Sequence, residues 1–212
     1  MGTIWIVRHA PTAWTGVRWS GRSDPPLTAA GETAARRIAR ALASHLDGPV
    51  VIVSSPAVRA TSTARAIAES SGGRSPSSLV TIDEDLAEVD FGRADGLTYQ
   101  EMEAAFPELA RRVLDRREDF DWPGGESATL LRVRAARAWC RITGAATAGD
   151  VVAVSHGGLI ARLLAIAIGS LDTVGHMEPA TAVQLVRVDG GARWQRAAAL
   201  DQDGAADPKS SR

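Results

Sequence analysis

The chain has 212 residues, 45% of them hydrophobic and 23% charged, proportions of a globular chain rather than a disordered or fibrous one. A net charge of −1 excludes the broad positive footprint of a nucleic-acid binder, although a small anionic ligand needs only a local patch. Lys209 is the only lysine among 24 basic residues. Guanidinium suits phosphate and carboxylate, but genomic composition accounts for most such arginines, so position must show which of them bind anions.

In chain order, Thr3 to Val7 is β-branched and aromatic and is stopped by Arg8-His9-Ala10-Pro11, so a buried strand ends just before a histidine. Apolar residues at 35, 38, 39, 42 and 46, with arginines 36, 37 and 40 between them, predict an amphipathic helix over 28–46 with Thr28 as N-cap and His45 near its end. Residues 49–53 form a second buried strand. Ser55 and Pro56 are then placed to cap and open a helix over 57–70. Residues 71–78 are a Gly/Ser/Pro loop and 79–82 a short strand. The acidic run 83–90 reads as a solvated loop.

Helices are expected over 98–106 and 108–119, with Pro107 between them, and a further helix follows a Ser127 cap with Leu131, Ala135, Ala138, Trp139 and Ile142 as its apolar face. Arginines 134, 137 and 141 of this helix are assigned to its polar side. Cys140, the only cysteine, is expected to pack as a small apolar side chain; with no partner for a disulfide, a reducing, cytoplasmic setting is the default. Residues 151–155 are a strand running through His156-Gly157-Gly158 into an apolar helix, 159–168. That helix is too short to span a bilayer and no membrane association is expected. A hairpin around 189–191 joins strands 181–188 and 192–199. His176 reads as loop. No secretory leader is expected from the opening residues.

Nearly continuous apolar strands alternating with helices argue an α/β fold, a three-layer sandwich whose mainly parallel sheet carries helices on both faces. A single domain over 1–200 and a disordered tail over 201–212 are expected. In such sheets ligands bind beyond the carboxyl ends of the strands, where both His9 and His156 fall. Glycines 157 and 158 would let the backbone of a helix N-terminus approach an anion. Neither G-x-x-x-x-G-K-[ST] nor G-x-G-x-x-G occurs, so those nucleotide sites are unsupported. A zinc site on His9 and His156 lacks a third ligand at a recognisable spacing.

At this point the residues carry a resemblance. Arg8-His9-Ala10-Pro11-Thr12 resembles the R-H-G-x-T signature of the histidine phosphatase superfamily, which includes the cofactor-dependent phosphoglycerate mutases. Four further segments follow in the same order: residues 21–28 with Gly31 resemble G-x-x-D-x-P-L-T-x-x-G, 54–64 resemble S-S-P-x-x-R-A-x-x-T-A, 86–92 resemble L-x-E-x-x-F-G, and 154–158 resemble V-x-H-G-G. The resemblance implies a phosphoglycerate mutase-like fold and a phosphohistidine on His9. It also implies a phosphate clamp of Arg8 and Arg59, a donor in His156, and Glu88 as the proton donor that later activates water. It implies a small phosphate ester as partner and neither metal nor cofactor.

Ala10 stands where the family carries glycine, which is tolerable at negative φ; Pro11 and Thr15 replace the frequent glutamate and asparagine. Thr15, Ser20, Gly21, Arg18, Arg22 and Gly157 are the expected substrate-binding residues, with Trp14, Trp19 and the segment 102–122 near the mouth. Residues 99–126 show no counterpart to the long insertion of the glycolytic mutases. This favours the phosphatase branch that includes α-ribazole phosphatases and broad phosphomonoesterases. A mutase, a degenerate phospho-ligand binder and a homodimer stay open.

Overall fold

A computed structural model describes residues 2–72, 80–114, 120–169, 177–189 and 193–201. Six strands form one sheet in the order β3-β2-β4-β1-β5-β6, built from β1 (Ile4–Arg8), β2 (Val50–Ser54), β3 (Val80–Ile82), β4 (Asp150–Ser155), β5 (Ala182–Val188) and β6 (Arg193–Leu200). The first four pair in parallel, and β5 and β6 add an antiparallel edge beside β1. The α/β expectation is met, including the terminal hairpin.

Each central strand is apolar throughout because its two faces meet different layers. Ile4, Ile6, Val151, Ala153 and Val183 pack with Leu131, Ala135 and Ala138 of α5 (Ala128–Ala145) and Leu159, Ile160 and Leu163 of α6 (Gly157–Ile168). Trp5, Val7, Ile52, Val152 and Val154 face the other way. They meet Ile38 and Leu42 of α1 (Ala29–Ala43) and Ala60, Ala64 and Ile67 of α2 (Val58–Ser70). The helix after β1 therefore covers one face and the helix after β4 the other. The crevice between the ends of these neighbouring strands is the switch point where a ligand is expected.

Thr28 caps α1, its hydroxyl accepting from the Gly31 amide at 2.9 Å. The helix ends at Ala43, three residues before Leu46, where His45 Nδ1 turns back to the Ala41 carbonyl at 2.9 Å. Ser127 caps α5 as expected. Two short helices, α3 (Tyr99–Ala105) and α4 (Pro107–Leu114), occupy 99–114. The rest of the helix expected to 119, His176, the turn glycines 190 and 191, and the tail beyond Asp201 lie outside the described residues. No helix among the described residues is long and apolar enough to cross a membrane.

Two expectations are corrected here. Cys140 is exposed on α5 rather than packed, because it lies off the apolar stripe that its neighbour Trp139 joins. The acidic run is not a solvated loop. Asp85 pairs with Arg137 at 2.7 Å and Arg141 at 2.6 Å, and Asp83 pairs with Arg141 at 2.7 Å. Those guanidinium bonds, Arg137 first, hold the Asp85 carboxyl down to about 2.

Candidate active site

The ends of β1 and β4 lie side by side, with Arg8 opposite Ser155 in the parallel register and the His9 amide bonded to the Ser155 carbonyl at 3.0 Å. This alone brings His9 against His156. Their ring centroids are 5.0 Å apart and inclined by 60°, and both side chains are buried.

The His9 Nδ1 lies 2.8 Å from the Ala10 carbonyl. A carbonyl can only accept, so Nδ1 carries the proton and Nε2 keeps its lone pair. Burial, followed by the Arg59 charge and then that of Arg8, pulls the His9 imidazole down to about 3 despite the Ala10 bond. Burial is also the leading cause that holds His156 well below its ordinary value, with repulsion from the His9 ring, were both protonated, and from the Arg59 and Arg8 charges behind it. Both rings are neutral at physiological pH. Ala10 is fully buried and is not among the residues with positive φ, so the departure from glycine carries no backbone strain.

This has a consequence for stability. The unfolded chain binds a proton on His9 near 6.5 and the folded chain only near 3, so protons favour the unfolded chain between those values. Stability is full above pH 6.5 and falls as the pH drops toward 3. In His9→Gln the slope of the denaturation midpoint against pH should flatten in that window; an unchanged slope would mean that His9 is not held neutral in the folded chain.

Arg59 opens α2 and is 1% exposed. Its Nη1 donates to the Ser23 carbonyl at 3.0 Å and Asp24 at 3.1 Å, and its Nη2 to the Ser20 carbonyl at 2.9 Å and the Gly21 carbonyl at 3.4 Å. Its buried Nε has no partner among the described residues. Asp24 also accepts from the Val58 amide at the α2 N-terminus, and Asp95 accepts from the Gly21 and Ser23 amides. Arg59 is thus fastened by the first loop, and Asp95 fastens the loop. Arg8 donates through Nη1 to the Met177 carbonyl and lies beside Gly157, where an added Cβ would stand 3.5 Å from its Cζ.

Glu88 sits where the glycines were expected to meet an anion. Its carboxylate accepts from the Val89 amide at 2.9 Å, the Leu159 amide at 3.1 Å and the Gly158 amide at 3.2 Å, so it occupies the N-terminus of α6. Gly158 is required by this contact: a Cβ there would fall 2.6 Å from Glu88 Oε1 and 2.8 Å from Val89 Cγ2. Gly158→Ala should cost about 1–3 kcal/mol of stability through overpacking. A denaturation midpoint unchanged in Gly158→Ala would show that the carboxylate and Val89 yield to the added methyl without cost.

The remaining expected residues are engaged within the protein. Thr15 Oγ1 accepts from the Thr12 amide at 2.9 Å, Ser20 Oγ donates to the Ser23 carbonyl at 3.0 Å, and Arg18 donates to the Gly96 carbonyl at 2.7 Å and Glu101 at 3.1 Å. Arg22 is mostly exposed and reaches Asp90 at 3.2 Å. Trp19 joins Phe91, Trp122 and Phe120 in an edge-packed aromatic cluster.

Two site residues escaped the sequence reading. Arg134 is not on a polar face but is 13% exposed, bonded to Glu126 through Nε at 2.8 Å and Nη2 at 2.6 Å, and to the carbonyls of Asp85 at 2.9 Å and Ala87 at 2.7 Å. It holds the segment that presents Glu88. Ser55 does not supply the side-chain cap of α2, which has none. Its hydroxyl lies instead 2.7 Å from His156 Nε2. Among the described residues no group of three His, Cys, Asp or Glu could hold a metal ion.

The model of the histidine phosphatase superfamily, branch 1, matches residues 4–199. The chain belongs to that superfamily. It is 35% identical over 193 residues to phosphoglycerate mutase-like protein 4 of Arabidopsis thaliana, covering 90% of this chain and 81% of the relative. It is 36% identical to the glucosyl-3-phosphoglycerate phosphatase of Mycolicibacterium vanbaalenii, covering 87% and 85%. A mycobacterial glucosyl-3-phosphoglycerate phosphatase solved in complex with VO3 superposes with a TM-score of 0.77 at 28% identity, over 93% of this chain and 98% of that one. Other relatives are larger: the chain spans 43% of a bifunctional protein of Mycobacterium tuberculosis to which it is 36% identical. The superfamily member described here is an enzyme of the phosphatase class.

Proposed function

We propose that this histidine phosphatase superfamily member hydrolyses a small-molecule phosphomonoester through a phosphohistidine on His9. The observation that carries the reading is the His9–Ala10 bond, which leaves Nε2 unprotonated beside two arginines and a second histidine. In the first half-reaction Nε2 attacks phosphorus, the bond to the leaving oxygen breaks, and that oxygen takes a proton from Glu88. In the second, Glu88 takes a proton from water, the water oxygen attacks phosphorus and the P–N bond breaks, releasing inorganic phosphate and returning His9. Arg8 and the Nε of Arg59 balance charge on the phosphoryl oxygens. His156, being neutral, serves as a hydrogen-bond donor and not as a third cation. Gly157 borders the clamp. An exposed, unpaired Cys140 suits a reducing compartment such as the cytoplasm.

Phosphatase action is favoured over mutase action because, among the described residues, the segment 99–126 before α5 holds as helices the short α3 and α4. A panel of phosphate esters should give inorganic phosphate at a rate that chelators do not change. Transfer of the phosphoryl group to a second hydroxyl without phosphate release would make the protein a mutase, and tight binding without turnover would make it a binding protein.

A further inference from the structure

We propose that Ser55 is a positioning residue that fixes His156 in its Nδ1–H tautomer, so that one oriented donor serves the phosphoryl site. Ser55 and His156 are both fully buried, so each of their protons needs an acceptor within the protein or on a ligand. The Ser55 hydroxyl has one proton to give and already accepts from the Ala57 amide at 3.3 Å. Its oxygen stands 2.7 Å from His156 Nε2. If Nε2 carried the proton, Ser55 would accept twice and its own proton would have no acceptor among the described residues. The unprotonated Nδ1 would then turn a lone pair toward an anionic ligand. If Ser55 donates to Nε2, every one of these groups is satisfied, and the proton sits on Nδ1. That nitrogen is buried and has no partner among the described residues. A donor without a partner beside His9 is what a phosphoryl oxygen would engage.

His9 supplies the complementary half. There the Ala10 carbonyl puts the proton on Nδ1 and leaves Nε2 to react. Two rings in edge contact are thus set in the same tautomer by different means, a carbonyl that must accept and a hydroxyl that must donate, and the outcome is one nucleophile and one donor. The Ser54 hydroxyl, bonded to the Ser55 carbonyl at 2.9 Å, does not compete for the ring.

The catalytic half of this inference rests on the phosphatase reading, and the tautomer half does not. The test is nitrogen-15 NMR of the full chain labelled at its 4 histidines, with the His156 signals identified by their loss in His156→Gln. The unsubstituted protein should show His156 protonated at Nδ1 and a hydrogen-bonded, unprotonated Nε2. Ser55→Ala should shift the population toward Nε2–H and weaken binding of inorganic phosphate by roughly tenfold or more. Ser55→Thr, which keeps a hydroxyl, should restore both. An Nε2–H tautomer in the unsubstituted protein, or a tautomer that Ser55→Ala leaves unchanged, would overturn the proposal. The expected tautomers together with no turnover of any phosphate ester would instead count against the phosphatase reading alone.

Discussion

Replacement of His9 by alanine should lower phosphomonoester turnover by at least about 10,000-fold, the loss expected when a nucleophile is removed and only binding and charge stabilisation remain. The reason lies in the protonation state of the ring. Burial and the arginine charges keep His9 neutral, and the Ala10 carbonyl takes the proton-bearing nitrogen, so Nε2 keeps a free lone pair. His156 is not a substitute, because its Nε2 is committed to Ser55. Steady-state kinetics on the best ester of the panel, with circular dichroism to show that the variant is folded, checks this. Turnover above about 1% of the original would remove His9 from the role.

The second large effect is expected at Arg134, which donates to the Glu88 carbonyl at 3.4 Å through Nη2. Arg134→Ala should destabilise the fold by about 1–3 kcal/mol, because Glu126, 11% exposed, would become a half-buried carboxylate without a counter-charge. Turnover should fall as well, since the carbonyls of Asp85 and Ala87 lose the donor that orders the approach to Glu88. Glu126→Gln, which keeps a polar group on Arg134 without the charge, should cost less. Arg36→Ala is the contrast: Arg36 is half exposed and 3.9 Å from Glu32, so its removal should change stability by no more than about 0.5 kcal/mol. Denaturant midpoints for the three variants measure the difference. Equal effects at Arg134 and Arg36 would show that the half-buried pair contributes no more than a surface one.

The comparison of these two arginines shows what the sequence could and could not convey. The strands ending at Arg8 and Ser155 were legible because their residues are apolar on both faces, and His9 and His156 were legible because ordered motifs placed them at strand ends. Arg134 was readable in part: it lies three residues after Leu131 and four before Ala138, inside the apolar stripe of α5 rather than opposite it. Its partner Glu126 lies eight residues back, just before the Ser127 cap; the carbonyls of 85 and 87 lie on a distant segment, and no periodicity reports such contacts. The same holds for Ser55, whose local context of serine followed by proline suggests a helix cap. The hydroxyl was instead claimed by a ring 101 positions away. Thr15, Ser20, Gly21 and Arg18 have the residue types of an anion site, yet Thr15 and Ser20 bond within their own loop and Gly21 and Arg18 bond to Asp95, Gly96 and Glu101. Composition leaves open which arginines bind anions; the structure brings Arg8 and Arg59 to the crevice and turns Arg134 to architecture.

The phosphohistidine proposed on His9 puts a covalent intermediate on one nitrogen of one residue. Rapid mixing with a phosphorus-32-labelled ester, an acid-free quench and peptide mapping would locate it. The account predicts acid-labile phosphate on the peptide containing His9, bound at Nε2, that appears before inorganic phosphate and is absent from His9→Ala. Full turnover with no label on His9 at any time would contradict it.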